Sequence, residues 1–255
     1  IITSDGRQRE FDGFWSSSLT DSTEMGKPDN EALDISKRLS NINNIFDVTT
    51  KPLIMDADTG GKIEHFELNV RSMERLGISA VIIEDKKGLK KNSLFGTDVK
   101  QEQDSIENFC EKIKVGINSK QTDEFMVIAR IESLILGKGI EDALLRGRSY
   151  ADSGANGVLI HSKDDSEELV FQFVENFKKD FDVPVIVVPT TYNHVTLDEF
   201  KKLGVDIVIY ANHLLRSAYP AMLNTAEEIL KFGRTQELEK KLMSVKEVIN
   251  FIPTD

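Results

Sequence analysis

Acidic side chains directly follow short apolar runs in this sequence. Run 53–55 leads into Asp56 and Asp58, and run 81–83 leads into Glu84. Mg²⁺ prefers a few carboxylate oxygens together with retained water, which an Asp-x-Asp pair and a distant Glu can provide. Asp also caps helices and turns after strands. Capping explains one such acid, but three acids after neighbouring runs favour a magnesium site formed by Asp56, Asp58 and Glu84.

Two basic side chains occupy the same kind of position, because Arg130 and His161 each end or follow a short apolar run. A guanidinium binds a carboxylate or phosphoryl group through two parallel hydrogen bonds. Imidazole is a frequent catalytic group near neutral pH. Either residue alone could be structural, for example through an ion pair of Arg130 with Glu132 or Glu84. Beside a metal site, the two together indicate an anionic substrate.

Segment 86–96 places four lysines, at positions 86, 87, 90 and 91, directly after the acidic end of a run. A solvated charged loop would be the simplest interpretation without the neighbouring acids. In an acidic protein, however, this segment predicts a mobile lid that brings positive charge and the amide of Asn92 over an anionic substrate.

Short apolar runs rich in β-branched residues predict strands that are buried on both faces, as in a parallel sheet. Amphipathic segments between them predict helices, and Gly77, Gly154 and Gly204 mark helix ends. The predicted strands are 11–15, 53–55, 80–83, 126–131, 157–160, 185–188 and 207–210, and the helices include 66–76, 106–117, 140–153 and 169–177.

Alternating strands and helices predict an α/β fold with parallel crossovers. Polar residues that follow several different strands are typical of a (β/α)8 TIM-type barrel. A doubly wound sheet is the alternative, but no Gly-rich phosphate loop follows the first strand. A barrel needs eight strands, so we expect the missing first strand to precede Ile1. Residues 213–251 predict additional C-terminal helices, and the 255 residues suit a single catalytic domain, 1–255.

Composition restricts the partners and the compartment. The net charge of −11 disfavours nucleic acid and anionic lipid surfaces as partners. No apolar run approaches the roughly 20 residues of a membrane-spanning helix, and no secretory leader is visible. The single cysteine, Cys110, fits a reducing compartment. We therefore expect a cytoplasmic enzyme with a small anionic substrate, no nucleic acid and no membrane.

Taken in order and spacing, the motifs resemble the phosphoenolpyruvate mutase branch of the isocitrate lyase superfamily, from about Phe11 to the end of the chain. Each motif is weak alone, but the set is specific. The matching motifs are Asp56-Ala57-Asp58-Thr59-Gly60, Glu84-Asp85-Lys86, Lys90-Lys91-Asn92-Ser93, Ala129-Arg130-Ile131-Glu132 and His161-Ser162-Lys163, with Trp15-Ser16-Ser17-Ser18 and Ala211-Asn212-His213.

The resemblance implies a (β/α)8 barrel with Mg²⁺ in its mouth, assembled as a homotetramer (a dimer of dimers) whose subunits exchange their last helix. It also implies an isomerase of the phosphomutase type. Such an enzyme interconverts phosphoenolpyruvate and phosphonopyruvate, moving the phosphoryl group from the enol oxygen to the methylene carbon. This reaction forms a C–P bond and begins phosphonate biosynthesis.

The resemblance also assigns roles to residues. Asp56 matches the direct magnesium ligand, with Asp58 and Glu84 acting through water. Asp29 matches an acid beside the reacting centre, which could take the phosphoryl group covalently or only shape the pocket. The segment that holds the carboxylate and oxo end of the substrate is matched by Trp15, Ser17 and Ser18. The phosphoryl-binding residues are matched by Arg130, His161 and Asn92. The substrate-binding lid is matched by Lys90, Asn92, Ser93 and Leu94.

Two departures and three rivals accompany this interpretation. Gly61-Lys62-Ile63 stands where the family often has Tyr-Gly, and the family's first strand, with its Glu-Ala-His run, is not among these residues. Phosphonopyruvate hydrolase is the nearest rival, but it typically carries Thr in place of Asn92. A carbon–carbon lyase would need a Cys on segment 86–96, which has none. An inactive scaffold would have no reason to keep the metal and phosphoryl-binding residues intact.

Overall fold

The computed structural model describes residues 1–88 and 90–251. The chain forms two compact units, Ile1–Ala211 and Asn212–Asp255. The first unit contains every strand described below, and the second contains two helices. A single catalytic domain over 1–255 remains a prediction.

The first unit is built on a seven-stranded sheet in which every strand pair is parallel. Its order is β1-β2-β3-β6-β7-β8-β9, and β4 and β5 form a separate antiparallel ribbon. The strands are β1 Phe14–Ser16, β2 Leu53–Asp56, β3 Ala80–Glu84, β4 Lys86–Lys87, β5 Glu102–Gln103, β6 Met126–Ile131, β7 Gly157–Ile160, β8 Val185–Val187 and β9 Ile207–Val208.

The seven predicted strands are all present and in the predicted order. Strand β1 begins three residues later than predicted, because pairing starts where the amide of Phe14 donates to the carbonyl of Pro52. Strands β2 and β3 each extend one residue further than predicted, so Asp56 and Glu84 belong to the strands themselves. The ribbon of β4 and β5 was not predicted, since two-residue strands carry no periodic signal.

The sheet is curled and buried on both faces. Side chains of one face pack against the helices, whereas those of the other form a separate apolar cluster inside the curl, including Ile82, Ile128 and Leu159. The rings of Phe11, before β1, and Tyr210, after β9, lie 6.4 Å apart, which brings the two edges of the sheet near each other. The result is a curled parallel half-barrel, which explains why the strand sequences are apolar without alternation.

Helices follow the strands in alternation. The four predicted helices are present, and Gly77 and Gly204 end their helices in the left-handed conformation. Helices α1 and α2 were not predicted. The sequence of α1 is too polar to show an apolar stripe, whereas α2 does carry one, formed by Ile35, Leu39, Ile42 and Phe46. The helices are α1 Ser18–Glu24, α2 Ile35–Phe46, α3 Ile63–Leu76, α4 Ile106–Ser119, α5 Gly139–Asp152, α6 Glu168–Asp180, α7 Leu197–Leu203, α8 His213–Phe232 and α9 Val245–Ile249.

The second unit consists of α8, the longest helix, and the short α9. This agrees with the predicted order of a long helix, a turn and a second helix. Among the described residues, no helix combines the length and the hydrophobicity needed to cross a membrane.

Helix α4 packs closely against α3 through Gly116. A Cβ atom at Gly116 would lie 2.7 Å from the ring of Phe66, which is fully buried. Alanine gains about 1 kcal/mol of helix propensity over glycine, but overpacking a rigid core costs about 1–3 kcal/mol. We expect Gly116→Ala to lower the free energy of unfolding by roughly 1 kcal/mol in urea titrations. Lys114→Ala, on the exposed face of α4, is the control, and an unchanged value for Gly116→Ala would contradict the packing described here.

Candidate active site

Strand alternation places four polar side chains on the inner face of the curl. Asp56 ends β2, Glu84 ends β3, Arg130 is the fifth residue of β6, and His161 follows β7. Because side chains two residues apart share a face, each stands directly above an inward apolar residue of its own strand. Those apolar residues are Ile54, Ile82, Ile128 and Leu159. The carboxyl ends of four strands therefore contribute to one site.

The three predicted metal ligands lie together. The carboxylate of Asp56 accepts a hydrogen bond from the amide of Asp58 at 3.0 Å, and the carbonyl of Asp58 accepts one from the amide of Glu84 at 2.8 Å. Asp58 has a positive φ of 56°, which a non-glycine residue rarely adopts. None of the three caps a helix. The carboxylate of Asp56 does cap the turn that follows β2, because it accepts from the amide two residues further on.

The ammonium of Lys90 lies among the acids of this group. Its Nζ is 2.5 Å from Asp58, 3.3 Å from Asp29 and 3.6 Å from Asp56, and it also contacts the hydroxyl of Ser18. Burial alone would lower the pKa of Lys90, but the surrounding carboxylates outweigh it and raise that pKa. Lys90 is therefore charged and compensates the buried acids.

The acids differ in how readily they ionise. Burial would raise the pKa of Asp56, but the charges of Lys90, Arg130 and Arg38 lower it below the ordinary value. Burial dominates at Glu84 and raises its pKa to about 7, although Lys86 and Arg130 oppose the shift. Asp56 is therefore a carboxylate near neutral pH, whereas Glu84 can gain or lose a proton there. The net charge of the two acids depends on which charged groups bind beside them.

The residues fit a divalent cation by the chemistry of their donors. In the described part of the chain, no group of three or more His, Cys, Asp or Glu side chains is arranged so that it could hold a metal ion. Both carboxylate oxygens of Glu84 and one oxygen of Asp29 are nevertheless buried and accept no hydrogen bond from the described residues. These oxygens are paired with cations, because Glu84 lies 3.2 Å from Lys86 and 3.5 Å from Arg130, and Asp29 lies 3.3 Å from Lys90. Carboxylate oxygens are hard donors of the kind that Mg²⁺ requires.

Arg130 and His161 form the cationic side of the site together with Glu132. Nε of Arg130 donates to Glu132 at 2.6 Å, and its Nη2 lies 2.9 Å from Nδ1 of His161. Burial and the charge of Arg130 lower the pKa of His161. The carboxylate of Glu132 lies 3.2 Å from the same Nδ1 and would favour a proton on it. The guanidinium of Arg130 is closer, and because it can only donate, it favours an Nδ1 without a proton. A neutral ring with Nδ1 as acceptor leaves Nε2–H to donate to an anion.

The predicted lid, segment 86–96, lies within a loop whose two ends pair as the antiparallel ribbon of β4 and β5. Its side chains contact the acidic residues described above. The amide of Asn92 donates to Asp29 at 2.8 Å, while its carbonyl accepts from the backbone amide of Leu94. Ser93 is buried, whereas Leu94 is 41% exposed, so the structure does not bring the Leu94 side chain into the site. The predicted lid residues Lys90, Asn92 and Ser93 thus face the acids and bases, and Leu94 faces outward.

The segment predicted to hold the carboxylate end of the substrate lies beside Asp56. The hydroxyl of Ser18 donates to Asp56 at 3.1 Å. Nε1 of Trp15 is buried and has no hydrogen-bond partner among the described residues, so a donor remains available on the inner face. The hydroxyl of Ser17 instead caps helix α1 by accepting from the amide of Thr20.

Two residues that the sequence does not predict contact the acidic turn after β2 from neighbouring segments. Arg38, on α2, lies 2.8 Å from Asp21 and 3.5 Å from Asp58, and it is fully buried. Glu31 accepts from both the amide and the hydroxyl of Thr59, at 3.2 and 2.7 Å, and so ties the Asp29 segment to the acidic turn. Neither follows a strand, so the signal that identified the other residues was absent.

Comparisons with known proteins agree with this arrangement. The family model described as phosphoenolpyruvate phosphomutase matches residues 2–230. A phosphoenolpyruvate phosphomutase of Tetrahymena pyriformis is 37% identical over 93% of this chain and 79% of its own length. A crystal structure of the phosphoenolpyruvate phosphomutase from Streptomyces platensis subsp. rosaceus has a TM-score of 0.89 at 39% identity, covering 94% of this chain and 82% of that one. A phosphonopyruvate hydrolase solved with oxalate and Mg²⁺ has a TM-score of 0.85 at 34% identity, with the same coverage.

Proposed function

We propose that this chain, which belongs to the phosphoenolpyruvate phosphomutase family, is an isomerase that interconverts phosphoenolpyruvate and phosphonopyruvate. The observation that carries the proposal is the position of Asn92. Its side-chain amide donates from the lid to Asp29, which lies beside Lys90 in the acidic group. A C–P bond-forming site needs such a lid, because water would otherwise capture the phosphoryl group.

In the reaction, the bond between phosphorus and the enol oxygen breaks and a bond between phosphorus and the methylene carbon forms. The electron pair of the broken bond stays with the three-carbon fragment as an enolate, which then attacks phosphorus through carbon. Catalysis of such a transfer depends on positioning and on stabilising charge around a loose transition state. Arg130, His161 and Asn92 provide hydrogen-bond donors that would hold the phosphoryl oxygens while the fragment turns.

Mg²⁺, held by Asp56, Asp58 and Glu84, would supply positive charge to the carboxylate and enolate oxygens of the substrate. Ser18 and Trp15 would orient that end, because Ser18 bonds to Asp56 and the indole N–H of Trp15 is unpaired among the described residues. Asp29 lies next to Lys90 and Asn92 and would either accept the phosphoryl group covalently or keep it from water. A trapped phosphoprotein in rapid-quench experiments would select the covalent route.

Phosphorus NMR tests the reaction directly. The protein is incubated with phosphonopyruvate and Mg²⁺, and the products are followed over time. Phosphoenolpyruvate as the product supports the mutase proposal. Inorganic phosphate with pyruvate would instead select phosphonopyruvate hydrolase, the rival that the 34% identical solved hydrolase favours. Absence of any reaction would contradict both.

Asn92 separates the two activities in a single substitution. Threonine keeps a polar side chain but is too short to donate to Asp29 as the amide does at 2.8 Å. We expect Asn92→Thr to reduce phosphoenolpyruvate formation by about 10²–10³-fold, the usual effect of removing one donor to developing charge. Inorganic phosphate should become the main product in the NMR assay.

Asp98→Asn is the matched control, because Asp98 lies in the same segment but is exposed. The control should keep the wild-type product and rate. Unchanged phosphoenolpyruvate formation by Asn92→Thr would remove the main reason for preferring mutase to hydrolase.

The proposal extends to assembly and location. Helix α8 buries none of its residues, and Leu214 and Leu230 are 82% and 84% exposed, which supports exchange of the last helices within a homotetramer. The closed eight-stranded barrel, with its first strand outside residues 1–255, belongs to the same proposal. So do the motion of segment 86–96 as a gating lid and a cytoplasmic location.

A further inference from the structure

The hydroxyl of Ser93 is fully engaged by protein groups. It donates to Oε2 of Glu132 at 2.5 Å and accepts from Arg130 at 2.7 Å and from Lys86 at 2.9 Å. A serine hydroxyl has one hydrogen to donate and two lone pairs to accept with, so none of its capacity remains for a substrate. In this closed arrangement Ser93 attaches the lid to the residues beneath it.

Glu132 is the residue to which the lid is attached, and it also holds Arg130, whose Nη2 in turn contacts Nδ1 of His161. Its Oε1 accepts from Arg130 at 2.6 Å and lies 3.2 Å from Nδ1 of His161. Its position is fixed from behind, because its backbone amide donates to Asp85 at 2.9 Å. One fully buried carboxylate therefore contacts the lid through one oxygen and Arg130 and His161 through the other.

Lys86 completes the attachment at the stem of the lid. Its buried ammonium donates to the carbonyl of Lys91 at 2.8 Å and to the side chain of Gln101 at 3.0 Å, on the two limbs of the loop. It also lies 3.4 Å from the oxygen of Glu132 that Ser93 uses. Both limbs and the buried serine of the lid thus meet at Glu132.

We propose that Glu132 is a positioning residue that couples closure of the lid to the orientation of Arg130 and His161. Opening the lid withdraws Ser93, which leaves both Glu132 and Arg130 with an unmet hydrogen bond in a buried place. The closed lid and the aligned guanidinium therefore stabilise each other. The role in turnover rests on the proposed function, since it concerns the pair expected to hold the phosphoryl group.

The hold on the lid is tested without substrate. Lys87 and Lys91 of the lid and Lys100, which follows the lid, are exposed, so trypsin can cleave there when the lid opens. We expect Glu132→Gln and Ser93→Ala each to accelerate cleavage within segment 86–101 about tenfold, and the double variant to be no faster than either one, because the two residues form one interaction. Glu102→Gln, at an exposed ion pair on the stem, is the control and should cleave at the wild-type rate.

The coupling to the site is tested by nitrogen NMR of His161, one of four histidines and assignable by its own substitution. Ser93→Ala changes a residue on the lid, yet it should shift the ring nitrogens of His161, as Glu132→Gln should. In turnover, both variants should lose about 10²-fold in kcat with KM changed less than about threefold, as expected when alignment rather than binding is lost.

Two outcomes would overturn the proposal. Wild-type cleavage rates in both variants would show that Glu132 does not hold the lid. Unchanged His161 resonances in Ser93→Ala would show that the lid and the site are independent. Because neither measurement uses substrate, failure of the wild-type protein to form phosphoenolpyruvate would refute the proposed function and leave this inference standing.

Discussion

Arg130→Lys is expected to reduce phosphoenolpyruvate formation by about 10³-fold or more, because cationic donors at a transferring phosphoryl group contribute effects of that size. The guanidinium reaches Glu132 through Nε and both Ser93 and His161 through Nη2, at 2.6, 2.7 and 2.9 Å. An ammonium is a single point on a flexible chain and cannot satisfy all three partners at once. The substitution preserves the charge, so any loss reports geometry.

Steady-state rates and the urea unfolding curve should be measured on the same preparation. Lysine keeps a cation beside Glu132 and Glu84, which avoids the roughly 3–5 kcal/mol penalty of breaking a buried pair. Arg148→Lys, at an exposed ion pair with Asp180, is the matched control and should behave as wild type. A folded Arg130→Lys protein that keeps activity within tenfold of wild type would exclude Arg130 from phosphoryl binding.

The site residues that could be predicted from sequence share one property: each lies at or near the carboxyl end of a buried parallel strand, which fixes the direction of its side chain. Asp56, Glu84, Arg130 and His161 end or follow apolar runs, and the period of two along a strand sends all four to the same face. Parallel pairing then aligns the strand ends, as the register of Glu84 with Arg130 illustrates. Strand burial and strand period are both readable from local sequence, so this part of the site needed no knowledge of tertiary packing.

The residues that escaped prediction reach the site from elements whose direction depends on packing. Arg38 belongs to α2, and its contact with Asp58 depends on how that helix lies against β1 and β2. The hydroxyl of Ser17 was expected at the substrate but caps α1, an element too polar to be foreseen. Ser93 was expected to bind substrate, yet its hydroxyl is satisfied by protein groups. Tertiary contacts of this kind leave no periodic signal in the chain.

The charges around Asp56 determine what the site can bind. The ammonium of Lys90, which comes from the lid, lies within 3.6 Å of Asp29, Asp56 and Asp58 and compensates them together with Arg38, which is 3.5 Å from Asp58. A divalent cation bound to the same carboxylates would therefore be repelled by Lys90 at close range, since like charges a few ångströms apart in a buried site interact strongly. Binding of Mg²⁺ and the position of the lid lysine should consequently be linked.

Asp56→Asn is expected to weaken this cation binding strongly and, with it, to slow turnover. Asp56 has its pKa lowered by Lys90, Arg130 and Arg38 despite burial, so it is the acid of this group most firmly held as a carboxylate. The asparagine amide has nearly the same shape as the carboxylate but carries no charge. In one of its two orientations, its NH₂ group would face the donors of Lys90 and Ser18. We expect the Kd for Mg²⁺ to rise about 100-fold and phosphoenolpyruvate formation to fall about 10³-fold.

Titration calorimetry with Mg²⁺ measures the first quantity and phosphorus NMR the second. Asp123→Asn, an exposed acid before β6, is the control for loss of one negative charge and should change neither. Unaltered Mg²⁺ affinity in Asp56→Asn would show that Asp56 does not bind the cation. Mg²⁺ that displaces Lys90 should speed tryptic cleavage of the lid in the wild-type protein. This effect of Mg²⁺ should be absent in Asp56→Asn, which ties the metal to the lid by a measurement independent of catalysis.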